Sequence, residues 1–188
     1  MSLHFQQSDP ILLGAGELYL MFAKDIEDLE NLTTEEEDNL INIGAIESGA
    51  TINIENTYRE IKSANRGTVA RMKVDSECVF DSGIMTWVLE NIAKFLSGSK
   101  FTKDLDGSQK MIIGHQDESP VCYLRFIHHK KSGGQLIVNI YRAVFNEALN
   151  FAFNQDDPVT INYSFAALTN HKNNYVEFIE TFSEDEQE

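Results

Sequence analysis

Thr68-Val69-Ala70-Arg71-Met72-Lys73-Val74-Asp75-Ser76-Glu77-Cys78-Val79-Phe80 decides the fold. Ala70, Met72, Val74, Ser76, Cys78 and Phe80 fall on one side of an extended chain, with Arg71, Lys73, Asp75 and Glu77 on the other. Side chains alternate faces along a strand, so this period of two reads as a β-strand with one wet face. Upstream, Ile43 to Ile61 sets Ile52, Ile54 and Tyr58 against Thr51, Asn53, Glu55, Thr57 and Arg59. Residues 63–67 form a polar turn between the two runs, and together they read as one long antiparallel hairpin.

Asp81 to Gly98 is the one segment that reads as a helix. Ile84, Val88, Ile92 and Phe95 recur at three- and four-residue steps, with Trp87, Leu89 and Leu96 widening the stripe. Asp81 or Ser82 is placed to cap its start, and Gly98 to take the left-handed conformation at its end. A helix this short needs a sheet to cover it.

The remaining elements read as strands. Ile11 to Phe22 carries Leu18, Leu20 and Phe22 at period two. Val121 to Lys131 and Gln135 to Asn146 flank a Gly133-Gly134 turn. Leu149, Phe151 and Phe153 are expected to pair with Val159, Ile161, Tyr163 and Phe165 as a third hairpin. Tyr175 to Phe182 supplies a last strand. Met111 to Ile113 is a short strand at best in the polar run from Ser99 to Ser119. The expected class is mainly β, a two-sheet sandwich or barrel of about eight strands with one flanking helix (81–98). Residues 1–182 read as a single domain with a long acidic loop at 23–42, followed by a disordered acidic tail at 183–188.

Thirty acidic against fifteen basic residues give a net charge of −15, which disfavours a surface that grips nucleic-acid phosphates. No apolar run is long enough to span a bilayer, and the first residues lack a basic segment followed by an apolar one, so the expected site of synthesis is the cytosol. Cys78 and Cys122 sit inside apolar strand patterns and read as buried free thiols.

Catalytic constellations fail on spacing. Neighbours on a strand point to opposite faces, so His128 and His129 do not share a metal. Gly14-Ala15-Gly16-Glu17 precedes a strand where a dinucleotide fingerprint needs a helix, and there is no phosphate-binding loop. Ser82 lacks the glycines of a nucleophile elbow. Glu36-Glu37 and Asp156-Asp157 lack calcium-loop spacing. A carboxylate pair for glycosidic chemistry is not legible without the fold. No enzyme, cofactor or metal site is expected.

Against this background the chain resembles the tail tube proteins of tailed bacteriophages. The resemblance rests on Leu13-Gly14-Ala15-Gly16-Glu17-Leu18-Tyr19-Leu20, then Ile43-Gly44-Ala45-Ile46-Glu47-Ser48-Gly49-Ala50-Thr51-Ile52, then the central helix. It ends with Leu149 to Phe153 followed by Ile161 to Leu168, all in the family's order. The motifs are glycine placements and strand patterns rather than catalytic signatures, and together they cover most of the chain. The resemblance implies a virion structural protein assembled in the host cytoplasm. Its subunits would form homo-hexameric rings that stack into an acidic-lined conduit through which DNA passes without specific binding. The implied partners are further copies and other tail proteins such as the tape measure and tail terminator. It also implies that the acidic loop, with Asp25, Glu27, Asp28, Glu35, Glu36, Glu37 and Asp38, contacts a neighbouring subunit or ring. Glu55, Glu60, Asp75 and Glu77 are candidates for the lumen. The alternatives are a tube subunit of a contractile tail, bacteriocin-like particle or secretion system, or a monomeric small-ligand β-barrel.

Overall fold

The computed structural model describes residues 16–84, 88–115, 119–130, 133–146 and 161–182. Among them are nine strands and two short α-helices: β1 (Gly16–Phe22), α1 (Thr34–Asp38), β2 (Ile41–Ser63), β3 (Gly67–Ile84), α2 (Leu89–Phe95), β4 (Ser99–Lys103), β5 (Gln109–Ile113), β6 (Val121–His129), β7 (Gln135–Phe145), β8 (Ile161–Leu168) and β9 (Val176–Thr181). The fold is mainly β and every pairing is antiparallel.

The main sheet runs β6-β1-β2-β3-β8-β7, and a further β6–β7 pairing closes it into a barrel. Alternation fills the interior. Leu18 and Leu20 from β1, Cys78 and Phe80 from β3, Leu124 and Phe126 from β6, Val138 and Ile140 from β7 and Phe165 from β8 form one buried cluster. Closure removes most exposed edges, which is how a small all-β core avoids edge-to-edge association. β8 and β9 lie end to end along the same edge of β7: Phe165 to Leu168 pair with Phe145 to Arg142, and Val176 to Thr181 with Ile140 to Gln135. They amount to one strand interrupted by the loop 169–175. Opposite Tyr141 the Tyr175 carbonyl takes up the Tyr141 N–H at 3.3 Å.

Three expectations are corrected. Residues 81–84 continue β3, pairing with β8 through Asp81–Ser164 to Ile84–Ile161, so the helical segment is Leu89–Phe95. Val88 is its N-cap, without a side-chain bond, so neither Asp81 nor Ser82 caps it. Apolar periodicity did not find this boundary, because in the sequence Ile84 continues the alternation of Cys78 and Phe80 as well as it opens a helical stripe. Gly98 does take a positive φ of 73° in the turn into β4. Residues 99–113 form a two-stranded sheet of their own, β4 with β5, where only Met111 to Ile113 was expected to be extended. The third correction concerns β3, whose alternation is broken by two bulges. Trp87, the segment 149–153, the Asp156-Asp157 pair and the tail 183–188 lie outside the described residues.

Candidate assembly surfaces

The β2–β3 hairpin is far longer than the barrel that roots it. β2 pairs with β1 only over Ile41–Ala45, and β3 pairs with β8 only over Val79–Ile84. Beyond that, among the described strands, the two have only each other. From Asn53 to Asp75 every residue but Ser63 is exposed. At roughly 3.3 Å per residue this arm projects about 35–40 Å. It carries Ile54, Tyr58, Ile61, Val69, Met72 and Val74, each 44–57% exposed. An isolated two-stranded ribbon is marginally stable in water, and apolar side chains on both of its faces add surface that a lone subunit leaves wet.

The bulges decide what the arm's faces carry. Val74 is extra between the pairs Thr57–Asp75 and Tyr58–Lys73, and Val69 between Ile61–Ala70 and Lys62–Thr68. Each extra residue shifts the alternation by one. Arg71 and Lys73 therefore leave the face of Asp75 and Glu77, where simple alternation puts them. They join Tyr58 and Glu60, and the Arg71 guanidinium lies 4.3 Å from the Tyr58 ring centroid. Near the root, the opposite face has Glu55 directly across from Glu77 and Thr57 across from Asp75. Of the four lumen candidates, Glu55, Asp75 and Glu77 share a face, and Glu60 sits on the other beside Arg71.

The acidic segment after β1 is a strap bound to its own barrel. Ile26 is buried with Tyr123 and Tyr141 on the outer face of β6 and β7, and Leu29, Leu32 and Leu40 pack around them. β7 is apolar on both faces at this point because the strap covers the second one. A 3-10 turn (Ala23–Asp25) leads into the strap. Within it, Thr33 and Glu36 form a reciprocal capping box at the start of α1, and Glu36 also accepts the Glu27 N–H at 2.8 Å. These backbone donors, Thr33 first and then Glu27, hold the Glu36 carboxyl below the usual range.

Two polar anchors tie the strap down. Arg125 donates from Nη1 to Glu37 at 2.8 Å and from Nε to buried Asn139 at 2.9 Å, and Asn139 donates on to Glu177 at 3.1 Å. Glu30 accepts from Asn170 at 2.7 Å and from Asn174 at 3.3 Å, and pairs with Lys172, all on the 169–175 loop. Lys172 foremost, with the two amides behind it, keeps the Glu30 carboxyl below its ordinary value. Asn170 organises that loop by accepting the backbone N–H groups of Lys172 and Asn174, each at 2.9 Å. The eight carboxylates of the sequence run thus separate. Asp28, Glu30, Glu36 and Glu37 are engaged within the subunit, whereas Asp25, Glu27, Glu35 and Asp38 make no side-chain bond among the described residues. Sequence reasoning missed Glu30, Arg125 and Asn170, whose roles depend on partners 88 to 144 residues away.

Among the described residues no group of three His, Cys, Asp or Glu side chains is placed to hold a metal, and no helix is long and apolar enough to cross a membrane. His128 borders a cleft of about 270 Å³ at the barrel mouth with Phe126, Leu136, Val138 and Phe178, while His129 points to solvent from the opposite face. That volume falls below the roughly 300–1,000 Å³ of ordinary small-molecule sites. Cys78 and Cys122 are buried free thiols, and burial pushes the Cys122 thiol up to about 12.

These features define the class: a closed antiparallel β-barrel with a projecting ribbon arm and a strapped outer face. Among solved structures the chain is similar to a component of the virion of a native gene transfer agent particle, at 11% identity and a TM-score of 0.44, over 86% of this chain and 95% of that one. It is also similar to a component of the anti-feeding prophage baseplate, at 7% identity and 0.42, over 93% and 97%. A third is Hcp protein, at 8% identity and 0.35, over 90% and 100%. No family model and no curated protein matches the sequence.

Proposed function

We propose that the protein is a structural subunit of a phage-type tail tube, assembling into hexameric rings that stack around a conduit. The observation that carries this reading is the β2–β3 arm. Both its edges are unpaired among the described strands, and both its faces hold apolar side chains in water. Edge pairing with arms of neighbouring copies would satisfy the free backbone groups and cover those side chains together.

Charge supports the conduit. Glu55 opposite Glu77 is a like-charge cross-strand pair, which costs stability in a lone ribbon, and Asp75 adds to it on the same face. The Asn53 amide donates to Glu55 at 2.9 Å, and a like-charge pair kept on the ribbon supports a use outside the subunit. Arg59 stands on this face too, but Glu55, Asp75 and Glu77 leave it net acidic, and turned to the lumen it repels the phosphates of passing DNA. Lys73 and the Arg71 guanidinium, stacked on Tyr58, then face a neighbour from the other side.

The test is electron microscopy of the purified protein across a concentration series, with light-scattering mass alongside. Hollow tubes of stacked rings with the 53–77 arms lining the bore are the expected result. A tube whose bore is lined by β6 and β7 instead would overturn the assignment of the arm.

A further inference from the structure

The β4–β5 sheet pairs with no strand of the barrel among the described residues. One face is half-buried, with Phe101 opposite Met111, and Met111 packs on the core. The other face sets Lys100 opposite Ile112 and Thr102 opposite Lys110, all exposed, and Leu105 stands fully in solvent at the tip. Among the described residues neither Lys100 nor Lys110 forms an ion pair. Two bare lysines on one sheet face are unusual on a chain of net charge −15, and they stand apart from the tip, where Leu105 lies between Asp104 and Asp106 and both carboxylates bond Ser108.

Its complement lies elsewhere on the same chain. The strap borders a cleft of about 430 Å³ lined by Met21, Asp25, Glu27, Thr33, Glu35 and Asn39. Asp25, Glu27 and Glu35 belong to the set left unengaged by the strap's internal bonds, and the engaged Glu36 lines the cleft beside them. Among the described residues no hydrogen bond or ion pair joins this cleft to β4 or β5 of the same copy.

We infer that the lysine face of β4–β5 in one copy docks on the acidic strap cleft of the next. This deepens the tube reading and rests on it. The partner is a second copy of this chain. The contact is heterologous, since two different patches meet, so repeating it generates a closed ring or an open stack rather than a two-fold dimer. The fit is of opposite charge around an apolar centre, with Ile112, beside Lys100 on the sheet face, set against Met21, and with the Asp104-Leu105-Asp106 tip outside the contact. Such a contact weakens as salt rises.

Charge reversal tests it on the full chain. Lys100→Glu with Lys110→Glu, and separately Asp25→Lys with Glu35→Lys, should each raise the concentration needed for assembly by roughly tenfold or more, because like charges then face each other. All four changes in one chain should restore assembly, since each contact again pairs opposite charges. A second readout is carbodiimide coupling in a mixture of isotopically light and heavy wild-type protein. Mass spectrometry should find Lys100 or Lys110 joined to Asp25, Glu27 or Glu35 across copies. If both double variants assemble at the wild-type concentration, or coupling joins only other residues, the docking is wrong while the tube stands. If wild-type protein forms no assembly and no coupled pair at any concentration, both readings fall together.

Discussion

Arg125 makes three polar contacts with one guanidinium: to Glu37 on the strap, to Asn139 on β7, and to the Tyr123 hydroxyl at 3.3 Å. Replacing it with Ala leaves Asn139, only 3% exposed, short of a partner and frees the strap at one end. The expected cost is about 1–3 kcal/mol, read as a lower urea midpoint, with Arg125→Lys only partly restoring it because an ammonium cannot span the three acceptors. Acid should act on the strap through its other anchor. Folded Glu30, Glu36 and Asp28 all titrate below their ordinary values, for Lys172, the Thr33 N–H and the Asn31 amide respectively as leading causes. A depressed folded value means stabilisation that is complete above the unfolded value of roughly 4 and lost as pH falls through the folded one. Hydrogen exchange, corrected for its intrinsic pH dependence, should show strap amides losing protection below about pH 4 while barrel amides keep theirs. Simultaneous loss in both would mean the strap is part of the cooperative core. None of these anchors was legible as such. The sequence shows a run of acid, and which carboxylates are engaged follows from where β6 and the 169–175 loop come to lie.

At the scale of elements, the hairpin turns were legible and their tolerance was not. Gly67 and Gly134 both sit at positive φ, 71° and 72°. A Cβ on Gly67 would meet nothing within 4 Å, whereas on Gly134 it would lie 2.3 Å from the Thr181 carbonyl oxygen. Gly67→Ala should therefore cost about 1 kcal/mol of backbone strain, and Gly134→Ala clearly more, because the turn must also move away from the end of β9. Paired thermal melts of the two variants measure the difference, and equal shifts would show that β9 yields freely at that end. The helix illustrates the opposite limit. Ile92 and Phe95 of its buried face were readable from periodicity, Ala93 was not, and Phe95 does pack against Phe22 with ring centroids 5.3 Å apart. Its start was not readable, because in the sequence the same apolar residues fit both the end of an alternating strand and the start of a helical stripe.

For the whole molecule, the decisive question is what the arm does when it is not in the barrel. Met72 and Val74 are each 57% exposed. Met72→Asp with Val74→Asp should leave the urea midpoint of the subunit within about 0.5 kcal/mol, as surface changes do, while abolishing tubes in micrographs. A large loss of stability instead would mean the arm folds back onto its own barrel. The chain's periodicities by themselves determined the class, most strand positions, the buried free thiols and the acid excess. Each of these is a local consequence of side-chain alternation or of composition. Only the tertiary structure decided the closure of the barrel, the capture of the acidic run as a strap, and the split of the arm's charges into a net-acidic face, with Glu55, Asp75 and Glu77 against Arg59, and a mixed one. Closure and capture depend on partners far away in sequence. The split depends on two single-residue bulges, and one extra residue in a strand exchanges its faces without leaving any mark in composition or average pattern.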